Sequence, residues 1–128
     1  MTGKAPSSSN IKRILCIEEN GETCILLGKM LNHDEYEVLH AKNKMAAYEI
    51  MKVKEASLVI IDNNFYKDGA ILLAAELKIL RPAIKVMMLS AQDGDFKRLA
   101  SQVGIDIFLT KPFTKSQFLN SLDSVINL

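Results

Sequence analysis

Four apolar residues, Leu58, Val59, Ile60 and Ile61, follow one another without a polar residue and end at the carboxylate of Asp62. A short, β-branched run without alternation predicts a strand whose two faces are both covered, as in the middle of a parallel sheet. In an open α/β sheet, ligands bind outside the carboxyl ends of the strands. Asp62 is therefore a candidate functional residue, although aspartate and asparagine also favour strand-ending turns whatever the function.

Strand and helix patterns alternate along the rest of the chain. Strands are predicted over residues 12–17, 36–41, 58–62, 84–89 and 105–109, and helices over 21–33, 44–53, 69–80, 93–103 and 116–126. Connections this short favour right-handed crossovers between parallel strands. The pattern predicts a single α/β domain, in which helices cover both faces of a five-stranded parallel sheet. Within the second helix, Ala46, Ile50 and Val53 form the predicted buried face.

The composition narrows the classes of function. The chain has 128 residues, enough for one domain with a proper core. Its formal net charge of +1 gives no electrostatic reason to expect binding to nucleic acid or to an anionic membrane, and no apolar run approaches the ~20 residues that span a bilayer. Residues 1–10 lack the apolar core of a secretion signal and are predicted to be a disordered leader before a domain over 11–128. Cys16 and Cys24 have no metal-site spacing and are expected to be buried free thiols in a reducing cytoplasm.

Polar side chains follow four of the predicted strands: Glu18 and Glu19 the first, Asp62 the third, Ser90 the fourth and Lys111 the fifth. Because the carboxyl ends of parallel strands meet at one edge, these side chains are expected to share a cleft. Two carboxylates ~5 Å apart repel each other by about 3 kcal/mol at an effective dielectric of ~20, so the cleft is expected to hold a cation besides the lysine. Mg²⁺ suits such oxygen ligands. A carboxylate beside Mg²⁺, with a lysine and a hydroxyl, is suited to accept a phosphoryl group.

These residues resemble the receiver domain of two-component response regulators, and the likeness covers residues 11–128. The signature of that family is an acidic pair after the first strand, a phospho-accepting aspartate after the third, a serine or threonine after the fourth and Lys-Pro after the fifth. The matching segments here are residues 14–20, 59–62, 86–91 and 108–113, and Asp68-Gly69 resembles the dipeptide that opens the family's third helix. The resemblance implies a doubly wound, flavodoxin-like (βα)5 fold with strand order 2-1-3-4-5.

The resemblance also implies a chemistry. Asp62 would be phosphorylated from the phosphohistidine of a histidine kinase or phosphotransferase, so the protein would be a phosphorylation-controlled signalling switch and not an enzyme. Glu19 and Asp62 would bind Mg²⁺ directly, together with the backbone carbonyl of Asn64. Glu18 would act on the ion through water.

Three further positions are implied to carry the switch. Ser90 would hydrogen-bond to the aspartyl phosphate, Lys111 would pair with it, and Phe108 would be the aromatic residue whose rotamer follows the phosphate. The peptide bond between Lys111 and Pro112 is expected to be cis. A downstream protein would bind the surface formed by the helix over 93–103, the fifth strand and the last helix, and a homodimer is an open alternative.

Two features depart from the family pattern. The acidic pair is Glu18-Glu19, where the family has Asp-Asp or Glu-Asp, and the loop over 63–69 is one residue shorter. An alternative function is therefore a degenerate receiver that acts as a phosphorylation-independent protein-binding or dimerisation module. Enzymes of similar fold are disfavoured, because a dehalogenase-type phosphatase needs a second aspartate where Asn64 stands, and glycine-rich phosphate motifs are absent. His33 and His40 are not spaced as a metal pair and are expected at surface or edge-strand positions.

Overall fold

The computed structural model describes residues 11–62, 69–91, 98 and 101–126. In chain order the elements are β1 (Lys12–Ile17), α1 (Glu22–Met30), β2 (Tyr36–Ala41), α2 (Lys44–Val53), β3 (Leu58–Asp62), α3 (Gly69–Leu80), β4 (Lys85–Ser90), β5 (Ile107–Thr110) and α4 (Lys115–Ile126). The leader predicted over residues 1–10 lies outside the described residues. So does most of the helix predicted over 93–103, although Arg98, Ser101 and Gln102 are described and have helical backbone.

The five strands form one parallel sheet in the order β2-β1-β3-β4-β5, which confirms the predicted fold. Strand β3 is central and pairs with β1 on one side and with β4 on the other. All five of its residues are buried. Because every strand runs in the same direction, the carboxyl ends of β1, β3, β4 and β5 lie along one edge of the sheet, with Asp62 in their midst.

Two apolar cores sandwich the sheet, because successive side chains along a strand point to opposite faces. On the face covered by α2 and α3, the buried strand residues are Leu15, Ile17, Ala41, Val59, Ile61, Val86 and Met88. On the face covered by α1 and α4, they are Ile14, Cys16, Tyr36, Leu58, Ile60, Met87, Leu89 and Leu109. Burial on both faces explains why the run before Asp62 has no polar alternation.

Helix α1 ends at Met30 and not at the predicted His33. The reason is a turn centred on Asn32, whose side-chain oxygen accepts a hydrogen bond from the backbone N–H of Asp34 at 2.9 Å. The Asn32 carbonyl also accepts from the N–H of Glu35 at 2.9 Å. Local hydrogen bonds of this kind compete with those of the helix, and here they stabilise a turn that ends α1.

The buried face of α2 is not the predicted one. The residues that pack fully against the sheet are Ala47 and Met51, whereas Val53 is 80% exposed. Ala46 and Ile50 are only partly buried at the margin of the core. The stripe is therefore rotated by one residue, because the small alanine lets the helix approach the sheet and the flexible methionine fills the space beside it.

Replacement of Asn43 by alanine is expected to lower the free energy of unfolding by about 1 kcal/mol. The Asn43 side chain caps α2 by accepting a hydrogen bond from the backbone N–H of Ala46 at 2.8 Å, and alanine removes that acceptor. Urea denaturation followed by circular dichroism measures the change. The exposed Asn120 of α4, replaced by alanine, is the control and should be neutral or slightly stabilising, since alanine favours helix. An Asn43→Ala protein as stable as the wild type contradicts the capping role.

Within the described ranges, no helix combines the length and the apolar composition that crossing a membrane requires.

Candidate functional site

Asp62 lies buried at the carboxyl end of β3, with 6% of its surface exposed. Each of its carboxylate oxygens accepts a hydrogen bond from Lys111 Nζ at 2.8 Å. The oxygen Oδ2 also accepts from the hydroxyl of Thr23 at 3.0 Å. A carboxylate removed from water needs a nearby cation and hydrogen-bond donors, and Lys111 and Thr23 supply them. The structure thus brings together the aspartate and the lysine that the sequence placed at separate strand ends.

The segment after β5 sets the position of Lys111. The backbone N–H of Lys111 donates to the carbonyl of Ser90 at 2.8 Å, which ties the segment to the end of β4. The peptide bond between Lys111 and Pro112 is cis, which confirms the expectation. Ser90 is fully buried and lies in register with Thr110. The ends of β3, β4 and β5 therefore meet around the lysine.

Of the acidic pair after β1, Glu18 is buried and Glu19 is exposed. Oε1 of Glu18 accepts a hydrogen bond from the backbone N–H of Thr23 at 3.1 Å. That N–H belongs to the first turn of α1, where backbone donors have no partner within the helix. The buried carboxylate is thus the one that the resemblance implied to act through water, and the implied direct ligand lies at the surface.

Thr23 links the two buried carboxylates and is absent from the predicted site residues. Its backbone N–H donates to Glu18 and its hydroxyl donates to Asp62. The sequence carries one signal for this role, since a threonine in the first turn of a helix that follows an acidic loop is well placed to bond nearby carboxylates. Thr23 holds the carboxyl ends of β1 and β3 at a fixed spacing.

His40 is a second residue missing from the predicted site. It lies on the edge strand β2, as expected, but its ring reaches over the end of β1. The ring nitrogen Nε2 lies 2.7 Å from the carbonyl oxygen of Glu18 and 3.1 Å from Oε2 of the same residue. The pairing of β1 with β2 could have indicated this position, because His40 pairs with Cys16 and so lies beside the last residues of β1.

The charges and the donor atoms of the pocket fit a divalent cation. Glu18 and Asp62 contribute two buried carboxylates, whereas Lys111 contributes one ammonium group. Oε2 of Glu18 is buried and has no hydrogen-bond partner among the described residues. No group of three His, Cys, Asp or Glu side chains in that part of the chain is placed to hold a metal ion, and the implied ligand Asn64 lies outside it. Two carboxylates suit an ion that keeps several of its waters, as Mg²⁺ does.

Three further described residues near the ends of the strands are uncharged or apolar: Cys16, Cys24 and Phe108. Cys16 and Cys24 are free thiols, the first buried and the second partly buried. Burial raises the pKa of the Cys16 thiol well above its usual value, and the neighbouring Cys24 and Glu18 raise it further. Phe108, the expected switch residue, lies on β5 in register with Met88 and is partly buried against the core beneath α2 and α3. The pocket thus keeps a net negative charge that a metal ion would offset.

The chain is similar to known proteins over nearly all of its length. Residues 14–123 match the family model of the response regulator receiver domain. The aerobic respiration control protein ArcA of Escherichia coli (strain K12) is 28% identical over 120 residues, which are 90% of this chain and 50% of ArcA. A crystal structure of a response regulator from Thermotoga maritima superposes with a TM-score of 0.84 at 23% identity, covering 92% of this chain and 99% of that one.

A third similar protein is a response regulator from Burkholderia pseudomallei, whose crystal structure contains a phosphorylated aspartic acid, a calcium ion and citrate. Its TM-score is 0.74 at 25% identity, and the alignment covers 87% of this chain and 66% of that one. The chain spans about half the length of the curated relatives it matches.

Proposed function

The chain belongs to the response regulator receiver domain family, and from this premise we propose that Asp62 accepts a phosphoryl group from the phosphohistidine of a histidine kinase or phosphotransferase. Receiver domains are signalling modules of two-component systems, so the modification would change which surface the protein offers to a partner. The observation that carries the proposal is the Asp62 carboxylate itself. It is buried at the end of a central strand, and Lys111 Nζ lies 2.8 Å from each of its two oxygens.

In the proposed transfer, a carboxylate oxygen of Asp62 attacks the phosphorus of the phosphohistidine. The P–N bond breaks, its electron pair stays on the imidazole nitrogen, and the ring, protonated at its other nitrogen, departs as neutral histidine. Catalysis of such a transfer depends on positioning and on charge neutralisation. The ammonium group of Lys111 lies beside both carboxylate oxygens and would neutralise the oxygens of the incoming group.

The phosphoryl group would then bias the switch through the next two strands. It brings negative charge and strong acceptor oxygens into the pocket. Ser90, buried at the end of β4, would donate its hydroxyl hydrogen to one of these oxygens. Phe108 on β5 is partly buried and packed against the core, and a change of its rotamer would alter the adjoining surface.

Glu18, Glu19 and Asp62, with the backbone carbonyl of Asn64, would hold Mg²⁺, which when bound supplies further positive charge to the phosphoryl oxygens. The buried Oε2 of Glu18, which accepts no hydrogen bond from the described residues, supports this assignment. The calcium ion that accompanies a phosphorylated aspartic acid in the Burkholderia pseudomallei regulator supports it as well.

Incubation with acetyl phosphate and MgCl₂, followed by intact-mass spectrometry, tests the proposal. The expected product carries one phosphoryl group, is cleaved by hydroxylamine as an acyl phosphate should be, and does not form when EDTA removes the metal. Absence of the adduct both with acetyl phosphate and with a panel of phosphorylated histidine kinases would overturn the proposed function.

Replacement of Glu18 by glutamine is expected to lower the affinity for Mg²⁺ by roughly tenfold or more, and Glu19→Gln by less. Changes that leave a metal site intact but disturb its support already cost about 10–100-fold, and Glu18 supplies the buried carboxylate that has an unpaired oxygen. Isothermal titration calorimetry with MgCl₂ measures both variants. A larger loss for Glu19→Gln contradicts the expectation and restores the direct role that the resemblance implies for Glu19.

A second candidate function is a degenerate receiver that works as a phosphorylation-independent protein-binding or dimerisation module. The exposed position of Glu19 favours it, because an acidic pair with one member at the surface offers fewer buried ligands. Its signature would be a protein that binds no Mg²⁺ and takes up no phosphoryl group, yet self-associates in analytical ultracentrifugation.

The expected partners follow from the same proposal. A histidine kinase or phosphotransferase would dock beside Asp62, and a downstream protein would bind the surface of β5, α4 and the helix predicted over 93–103. A homodimer formed through this surface is included. The formal net charge of +1 supports the absence of direct contact with nucleic acid or an anionic membrane. The free thiols of Cys16 and Cys24 support a location in the reducing cytoplasm.

A further inference from the structure

We propose that His40 is a positioning residue for the candidate metal site: its ring N–H holds the main-chain carbonyl of Glu18, and Oε2 of Glu18, which accepts no hydrogen bond from the described residues, is left to bind a divalent cation. The inference rests on the proposed function, because it concerns the ion that would assist phosphoryl transfer. It adds a residue from the edge strand β2. The family signature described above includes only residues at the ends of β1, β3, β4 and β5.

The hydrogen bond to Glu18 determines which ring nitrogen carries a hydrogen. Nε2 of His40 lies 2.7 Å from the Glu18 carbonyl oxygen, and a carbonyl oxygen can only accept. Nε2 must therefore be the donor. The bond holds the main chain of Glu18 just beyond β1, where the N–H of the same residue already donates to the Ala41 carbonyl at 3.0 Å. Both main-chain polar groups of Glu18 are thus tied to β2.

The two carboxylate oxygens of Glu18 have different surroundings. Oε1 accepts from the Thr23 N–H at 3.1 Å, so its hydrogen bond is made. Oε2 lies 3.1 Å from His40 Nε2 but has no hydrogen-bond partner among the described residues, because the single Nε2 hydrogen is directed at the carbonyl. The imidazole therefore stands close to Oε2 without saturating it.

Gly21 lies next to the Glu18 carboxylate and the His40 ring. Its φ of 84° is a left-handed conformation that favours glycine. A Cβ at this position would lie 3.7 Å from Cε1 of His40 and 3.8 Å from Oε2 of Glu18; these are ordinary contact distances, so the backbone conformation, and not a lack of space, favours glycine here. His40 and Thr23 thus bond to Glu18 directly, and Gly21 supplies the left-handed backbone between Glu18 and Thr23.

An unpaired carboxylate oxygen is costly inside a protein unless a cation or donor reaches it. Residues that orient metal ligands through hydrogen bonds typically control metal affinity by about 10–100-fold. The arrangement around Glu18 has this form, since His40 holds the residue while one oxygen is kept for another partner. The role of His40 is to position Glu18 and not to bind the ion or the phosphoryl group.

Two variants separate the hydrogen bond from the bulk of the ring. His40→Leu retains much of the bulk of the side chain but has no hydrogen-bond donor, whereas His40→Gln retains an N–H donor of similar reach. The matched control is His33→Leu, because His33 Nε2 also lies within hydrogen-bond distance of a backbone carbonyl, that of Gly28 at 2.9 Å, but outside the pocket. Calorimetric titration with MgCl₂ measures affinity, and the ¹³C shift of the Glu18 carboxyl group reports its environment without metal.

The expected result is a loss of Mg²⁺ affinity of roughly tenfold or more in His40→Leu, with most of it restored in His40→Gln and none lost in His33→Leu. The Glu18 carboxyl shift should move in His40→Leu alone. Wild-type affinity and an unmoved carboxyl shift in His40→Leu overturn the inference and leave the proposed function standing. A wild type that binds no Mg²⁺ and takes up no phosphoryl group overturns the proposed function and this inference together. Equal losses in His40→Leu and His40→Gln also overturn the inference, because the hydrogen bond would then not be the cause.

Discussion

The Asp62→Asn protein is expected to take up no phosphoryl group from acetyl phosphate, while it keeps the fold of the wild type. Asparagine has nearly the size of aspartate but no anionic oxygen to attack phosphorus. Lys111 Nζ, which lies 2.8 Å from both carboxylate oxygens, would lose the charge of its partner but could still donate to the amide oxygen. Intact-mass spectrometry with MgCl₂ present measures the adduct, and circular dichroism checks the fold.

Asp106→Asn is the matched control for this substitution. Asp106 also pairs with a lysine, because its Oδ2 accepts from Lys78 Nζ at 2.6 Å and from the Val86 N–H at 2.8 Å. It precedes β5 and so stands at the opposite edge of the sheet from Asp62. Asp106→Asn should cost stability but retain phosphoryl uptake. An adduct of wild-type yield on Asp62→Asn would show that another residue is the acceptor.

The strands could be predicted from local pattern, for physical reasons, whereas the order of the strands in the sheet was implied by the family resemblance. The run of Leu58, Val59, Ile60 and Ile61 is buried on both faces, so it carries no alternation and can only suit a central strand. Strand ends in a parallel sheet then fix which residues share an edge. The cis bond before Pro112 followed from the resemblance and did not need long-range information.

The direction in which individual side chains point could not be predicted from the sequence pattern. The sequence does not distinguish which of Glu18 and Glu19 turns inward, because that depends on the N–H of Thr23 and on the carbonyl that His40 holds. The same limit applies to α2, where Ala47 and Met51 face the sheet in place of the more strongly apolar Val53. Both outcomes depend on packing in the folded chain, of Glu18 against α1 and β2 and of α2 against the sheet.

The position of Glu18 changes the meaning of the unusual acidic pair. A glutamate carries one more methylene group than aspartate, and this length lets Glu18 reach the Thr23 N–H at 3.1 Å from a loop that is itself tied to β2. The longer side chain is thus anchored at one oxygen, and this anchoring limits the orientational freedom that the extra methylene adds. Magnesium demands near-ideal geometry, so the feasibility of the site depends on this anchoring more than on the length of Glu19.

Replacement of Phe118 by alanine is expected to lower the free energy of unfolding by about 3–5 kcal/mol. Phe118 is fully buried in α4 and packs into the core on the α1 side of the sheet. A loss of that size is a large fraction of the 5–15 kcal/mol that typically stabilises a domain. Because the chain has no tryptophan, urea denaturation should be followed by far-ultraviolet circular dichroism.

Phe113→Ala is the control for the loss of an aromatic ring at this end of the molecule. The centroids of the Phe113 and Phe118 rings are 6.1 Å apart, but Phe113 is only partly buried, so its removal should leave a smaller cavity and cost less. Phe113 follows the Lys111-Pro112 bond, and α4 begins two residues later at Lys115. The anchoring of α4 by Phe118 therefore also restrains the segment that carries Lys111 to Asp62. A Phe118→Ala protein that loses less than about 1 kcal/mol would contradict the fully packed position of the ring.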